Sequence, residues 1–95
     1  MRIVHEPGRF VAHVEGAEAY VEYVRDGDVL DVLHTFTPPA LRGRAIASAL
    51  TQAVIDHARA EGLRIRPSCS YTQRWAARHP EAAQHFVSGS AFGRT

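Results

Sequence analysis

Arg42-Gly43-Arg44-Ala45-Ile46-Ala47 is the stretch whose residue types point most directly to chemistry. It opens an amphipathic segment, and a helix start exposes unpaired backbone N–H groups and a partial positive charge. Sequences ordinarily answer with Ser, Thr, Asp or Asn at the cap and acids in the first turn. Here no acid and no capping side chain comes before Ser48, and Arg42 and Arg44 stand at the positive end. Cations so placed cost roughly 0.3–1 kcal/mol each. A bound anion reverses that sign, because the amides and both guanidiniums would serve it. Gly43, Ala45 and Ala47 are small enough to let an oxygen approach the backbone. The alternative is a poorly capped surface helix with solvated arginines.

Other reactive residues are few. The single cysteine, Cys69, excludes an internal disulfide and a cysteine-based zinc site. A lone thiol fits a reducing cytoplasm. The six histidines lack the spacing of a metal site, so no metal is expected. All eleven basic residues are Arg, for which compositional bias is explanation enough, but their distribution is uneven. Residues 1–40 hold three Arg and seven acids, a net charge of −4, while residues 41–95 hold eight Arg and three acids, a net of +5. The basic half suits an anionic partner, and the planar arginine fork suits phosphate. The overall pI of about 8.0 stays below the range of dedicated nucleic-acid binders, and no stacking aromatic row or groove-reading helix stands out.

These residues need elements to hold them. Ninety-five residues at 45% hydrophobic and 22% charged make one modest core. No apolar stretch is long enough to span a membrane, and the N-terminus has no apolar signal-peptide region. Period-two alternation over Phe10–Glu15 and Ala19–Val24, then a run from about Val29 to Phe36, predicts an antiparallel three-stranded meander in the first 36 residues. Gly16 permits one turn, and Asp26-Gly27 marks a hairpin with positive φ at both positions. The Val29–Phe36 strand is the most apolar and is expected further inside the sheet. Pro38-Pro39 ends it. Ile46, Leu50, Ala53, Val54, His57 and Ala58 then form one stripe of a helix from about Arg44 to Glu61, with Gly62 as its C-terminal stop. Leu63–Arg66 reads as a fourth strand closed by Pro67, Tyr71–Arg78 as a second helix, and 81–87 as a further helical turn. The predicted class is α/β with a mixed sheet and helices packed on it, one domain over 1–88 and a flexible tail over 89–95.

Strand, proline elbow, Arg-Gly-Arg-Ala-Ile-Ala and amphipathic helix together resemble the pyrophosphate loop of the GNAT acetyltransferase superfamily. The string His34-Thr35-Phe36-Thr37-Pro38-Pro39-Ala40-Leu41-Arg42-Gly43-Arg44 is similar to its small, single-domain YjdJ-type branch. So are Pro67-Ser68-Cys69-Ser70-Tyr71 and Arg78-His79-Pro80-Glu81, and the resemblance covers about residues 8 to 87. It implies a truncated GNAT fold that binds acetyl-CoA. His34, Thr35, Phe36 and Thr37 would pair with the pantetheine arm, and the loop from Arg42 through Gly43, Arg44, Ala45 and Ile46 to Ala47 would hold the pyrophosphate. Ala45 stands where the pattern has Gly, a change an ordinary first helical turn would tolerate.

The resemblance also implies roles at the thioester. Cys69 is the candidate to take the acetyl group, with structural packing as the alternative. Tyr71 is the candidate proton donor to the leaving thiolate. Trp75 occupies an aromatic position of the pattern and would pack against the pantetheine. His34 reads more simply as a settled strand residue than as a base. Two functions remain open: a small N-acetyltransferase with an unknown, amine-type acceptor, or a CoA-binding or protein-interaction module with little turnover. The chain is shorter than a full domain of the superfamily and lacks the elements that usually shape an acceptor site. A monomer or weak dimer is expected, without membrane or nucleic-acid partners.

Overall fold

The computed structural model describes residues 1–87, and the expected tail, 89–95, lies outside the described residues. The chain runs β1 (Arg2–Glu6), β2 (Arg9–Val14), β3 (Ala17–Asp26), β4 (Val29–Phe36), a 3-10 turn (Pro39–Leu41), α1 (Ile46–Glu61), β5 (Arg64–Pro67), α2 (Ser70–Arg78) and a 3-10 segment (Pro80–His85). The five strands form one sheet in sequence order, antiparallel throughout except for the parallel pair β4–β5. The mixed α/β class is as expected, but the meander has four strands rather than three.

The additional strand, β1, hides in sequence because one of its two residues on the helix-covered face is polar by type and exposed at the rim. Ile3 and His5 pair with Ala12 and Phe10 on the helix-covered face. His5 earns that place as an aromatic ring, stacked on Phe10 at a centroid distance of 4.1 Å. The three hairpins follow turn chemistry. Glu15 and Gly16 both have positive φ (52° and 80°), as a right-twisted two-residue turn requires. At the next hairpin Asp26 still pairs with Val29, so the turn is Gly27-Asp28, one residue later than expected, and only Gly27 has positive φ.

α1 lays Ile46, Leu50, Val54, Ile55 and Ala58 on Phe10, Ala12, Ala19, Val21, Leu30, Val32 and Ile65, all buried. β4 lies inside the sheet, between β3 and β5. Past β5 the edge is closed by the chain itself: Phe86 bridges to Ile65, and the Val87 amide donates to the Ile65 carbonyl at 2.8 Å.

One irregularity decides which residues meet. Tyr23 pairs with Val32 but Glu22 pairs with His34, so Leu33 is an extra residue in β4. A bulge of this kind reverses the in-out alternation beyond it. Thr35 therefore turns to the helix-covered face with Val21, while His34 and Phe36 turn to the open face with Glu22 and Tyr20.

Candidate functional site

Pairing between β4 and β5 stops at Val32 and Pro67. The Cys69 amide adds one last bond, to the Val32 carbonyl at 2.9 Å, and the chain then leaves into α2. Beyond that point β4 is paired only with β3, so its other edge, from Leu33 to Phe36, is open. A groove of about 580 Å³ runs along that edge, lined by residues 33–37, 68–71, Arg42, Ala47 and Arg74. A second cavity of about 300 Å³ lies at the start of α1, lined by Thr37, Arg42, Gly43, residues 45–48 and Tyr71. Thr37, Arg42, Ala47 and Tyr71 border both, so the two form a continuous cleft. A separate void among Val21, Val54, Ile65 and Phe86 has no room for a water molecule and is packing, not a site.

The start of α1 is uncapped, as its composition implies. The first helical bond runs from the Ala49 amide to the Ala45 carbonyl, at 3.1 Å. The Ile46, Ala47 and Ser48 amides precede that ladder, and no side chain caps them. The local geometry differs from expectation at one residue. Ala45 is not in the first turn; it is the N-cap, in the left-handed region at φ 60°, ψ 22°. A non-glycine residue there is strained by roughly 1–2 kcal/mol. Ala45→Gly should therefore raise stability by about 1 kcal/mol, read as a higher melting temperature. A lower melting temperature would show that the cap is not strained.

The structure does not bring every expected residue to the cleft. Arg42 borders both cavities, its Nε donating to the Thr37 carbonyl at 3.2 Å. Arg44 turns away and pairs with Glu15 of the β2–β3 turn at 3.2 Å. The acid absent from the sequence around the helix start is thus supplied from the meander, in an exposed pair of small energetic weight. Trp75 borders neither cavity: it is 2% exposed, and its Nε1–H donates to Ser48 Oγ at 3.0 Å. The pantetheine-facing role drawn from the resemblance does not match that burial.

Tyr71 borders both cavities, and Cys69 lines the groove along β4 two residues before it. Cys69 is the N-cap of α2, with its amide bound to β4 and its carbonyl accepting from the Gln73 amide at 3.0 Å. Gln73 Nε2 donates in turn to the Pro67 carbonyl at 2.9 Å. The Cys69 sulfur lies 3.5 Å from Thr35 Oγ1, a contact that exists only because the Leu33 bulge turned Thr35 inward. Burial pushes the thiol up, but the Thr35 hydrogen bond, the Thr72 amide and hydroxyl and the Tyr71 amide outweigh it, and the net shift is downward. Thr72 Oγ1 is buried and has no conventional hydrogen-bond partner among the described residues. The thiolate is therefore favoured relative to an ordinary cysteine, as a nucleophile requires. Tyr71 moves the other way. Burial raises its phenol, with Arg78, Ser48 and Arg74 partly opposing, so it keeps its proton.

His34 is exposed on the open face, with its ring 6.2 Å from that of Tyr20. Ser48, Arg74 and Thr72 were not legible as site residues. Arg74 carried a signal, its three-residue spacing from Tyr71 along α2; Ser48 and Thr72 carried none. Among the described residues no three His, Cys, Asp or Glu side chains converge as metal ligands, and no helix is long and apolar enough to cross a membrane.

Residues 9–85 match the family described as GCN5-related N-acetyl-transferase. The chain is 34% identical over 86 residues to Protein NATD1 of Bos taurus, covering 84% of this chain and 75% of that protein. Protein NATD1 of Danio rerio is likewise 34% identical over 86 residues, covering 84% and 77%. The fold matches the NMR solution structure of a Staphylococcus aureus protein described as GCN5-like, with a TM-score of 0.76, 22% identity and coverage of 98% and 94% of the two chains.

Proposed function

The chain belongs to the GCN5-related N-acetyltransferase family, and from that premise we propose that it binds acetyl-CoA in the cleft and transfers the acetyl group to an amine. The observation that carries this reading is the continuity of the cleft. It joins an unpaired strand edge to an uncapped helix start, with the Tyr71 phenol, pushed up by burial, bordering both and the Cys69 thiol, shifted down by its hydrogen-bonding neighbours, on the strand side.

The residues present fit the ligand. The open edge of β4 from His34 to Phe36, with Thr37 just beyond it, offers backbone groups to the amides of the pantetheine arm. The Ile46, Ala47 and Ser48 amides with Arg42 offer donors to the pyrophosphate. The thioester then lies near Cys69 and Tyr71. In direct transfer the amine nitrogen forms the new C–N bond, the C–S bond breaks, and the Tyr71 proton passes to the CoA sulfur. The proton shed by the amine returns through solvent to the phenolate. In the relay alternative the Cys69 sulfur forms a new C–S bond as the bond to CoA breaks, and CoA leaves with the proton of the Cys69 thiol; the amine then forms the C–N bond as the Cys69 C–S bond breaks, and the amine proton returns to the Cys69 sulfur.

Intact-mass spectrometry after incubation with acetyl-CoA separates the routes. The chain has no lysine, so Cys69 and the N-terminal amine are its only ready acceptors. A single added acetyl group that hydroxylamine removes, and that Cys69→Ala abolishes, supports the relay. An unmodified chain that still turns over supports direct transfer. A binding-only reading is favoured by one observation: β1 and β2 are joined by Pro7-Gly8 alone, so no helix from that connection walls an acceptor site. Binding without CoA release to any amine would establish it.

Binding itself should be visible as stabilisation. At acetyl-CoA concentrations of ~100 times Kd, linkage gives about 2.7 kcal/mol. For a domain of this size that is a melting shift on the order of 10 °C. A melting curve indifferent to saturating acetyl-CoA would count against the whole proposal.

A further inference from the structure

Ser48 takes part in no expected role, yet it is where α1 and α2 touch above the cleft. Trp75 Nε1–H donates to Ser48 Oγ at 3.0 Å. An indole nitrogen can only donate, so the serine oxygen is committed as acceptor and its own O–H must point elsewhere. A serine inside a helix commonly returns that hydrogen to the carbonyl four residues back, as Thr51 does to Ala47 at 2.9 Å. For Ser48 that residue is Arg44, which lies outside the helix because Ala45 takes the left-handed conformation. The Ser48 hydrogen is thus available, and Ser48 lines the same cavity as Tyr71.

The donor side is held firmly. Trp75 is 2% exposed. His79 stacks on its ring at 3.9 Å and 10°, and His79 Nδ1 bonds to the Trp75 carbonyl at 2.8 Å. Tyr71 and Trp75 are one helical turn apart, so both present to the same part of α1.

We propose that Ser48 is a positioning residue: held by Trp75, its hydroxyl donates to the Tyr71 phenol and steadies the phenolate left when Tyr71 gives its proton to the CoA sulfur. This rests on the reading of Tyr71 as the proton donor. Ser48 and Tyr71 line the same cavity, and Ser48 opposes the upward push of burial on the phenol.

Two measurements on the full chain separate the inference from the reading beneath it. Phenolate absorbance is titrated in the wild type and in Ser48→Ala, Ser48→Thr and Trp75→Phe, each minus its Tyr71→Phe counterpart. The Tyr71 titration should move up by about one pH unit in Ser48→Ala, partly in Trp75→Phe, and return in Ser48→Thr. CoA release from acetyl-CoA to a simple primary alkylamine should fall ~10-fold in kcat for Ser48→Ala, with the KM for acetyl-CoA unchanged. An unmoved titration in both Ser48→Ala and Trp75→Phe overturns the positioning role. A shifted titration with Tyr71→Phe turning over normally keeps the contact but removes Tyr71 as the acid, and with it Ser48's part in the reaction.

Discussion

Ala47→Glu should weaken acetyl-CoA binding by roughly 100-fold or more while leaving the fold as stable as before, or more so. Ala47 is the second residue of α1 and borders both cavities, so a longer acidic side chain enters the place assigned to the pyrophosphate. The charge repels phosphate and competes for the same amides. For the helix alone the change is favourable, because α1 has no acid in its first turn and a carboxylate there contributes ~0.3–1 kcal/mol. Affinity and stability are therefore expected to move in opposite directions. Titration calorimetry and a ligand-free melt on the same preparation read both. Unchanged affinity in a folded Ala47→Glu protein would remove the start of α1 from the binding site.

The second large effect is expected far from the chemistry. Phe86→Ala should cost ~3–5 kcal/mol, the usual range for deleting a buried aromatic ring. Phe86 is 1% exposed, bridges β5 at Ile65, and accepts from Arg64 Nη2 at 3.1 Å through its carbonyl. Against a total stability on the order of 5–15 kcal/mol, such a loss leaves the domain close to unfolding. Chemical denaturation should show a much lower midpoint, Phe86→Leu should recover most of it, and saturating acetyl-CoA should offset part of the remainder. A loss below about 1 kcal/mol would mean that the β5 edge holds without this ring.

Periodicity carried most of the fold. The alternation in β2 and β3, the helical stripe from Ile46 to Ala58 and the stop at Gly62 are local patterns, and local patterns survive in sequence. β1 did not, because His5, on the helix-covered face, is polar by type and exposed, and only its stacking on Phe10 shows why it belongs there. The helical turn expected over 81–87 is a 3-10 segment over Pro80–His85, but the Phe86 bridge to Ile65 that follows it was not legible, because a single buried aromatic has no period to reveal its partner.

The site divides along the same line. The uncapped, arginine-flanked start of α1 was legible by itself, because a capping deficit is a property of neighbouring residues, whereas the Cys69-Ser70-Tyr71 segment was legible through the family resemblance. Which side chains reach the cleft was decided by tertiary structure. The Leu33 bulge reverses the facing of His34, Thr35 and Phe36 and so brings Thr35 to the Cys69 sulfur. The fold also sends Arg44 to Glu15, buries Trp75 against Ser48, and places Ala45 in a strained cap. Each of these depends on strand register or on residues more than twenty positions apart, or on a single dihedral, none of which leaves a period in the chain. Sequence alone therefore determined most of the elements and the uncapped, arginine-flanked helix start; the three-dimensional register decided which side chains stand beside it.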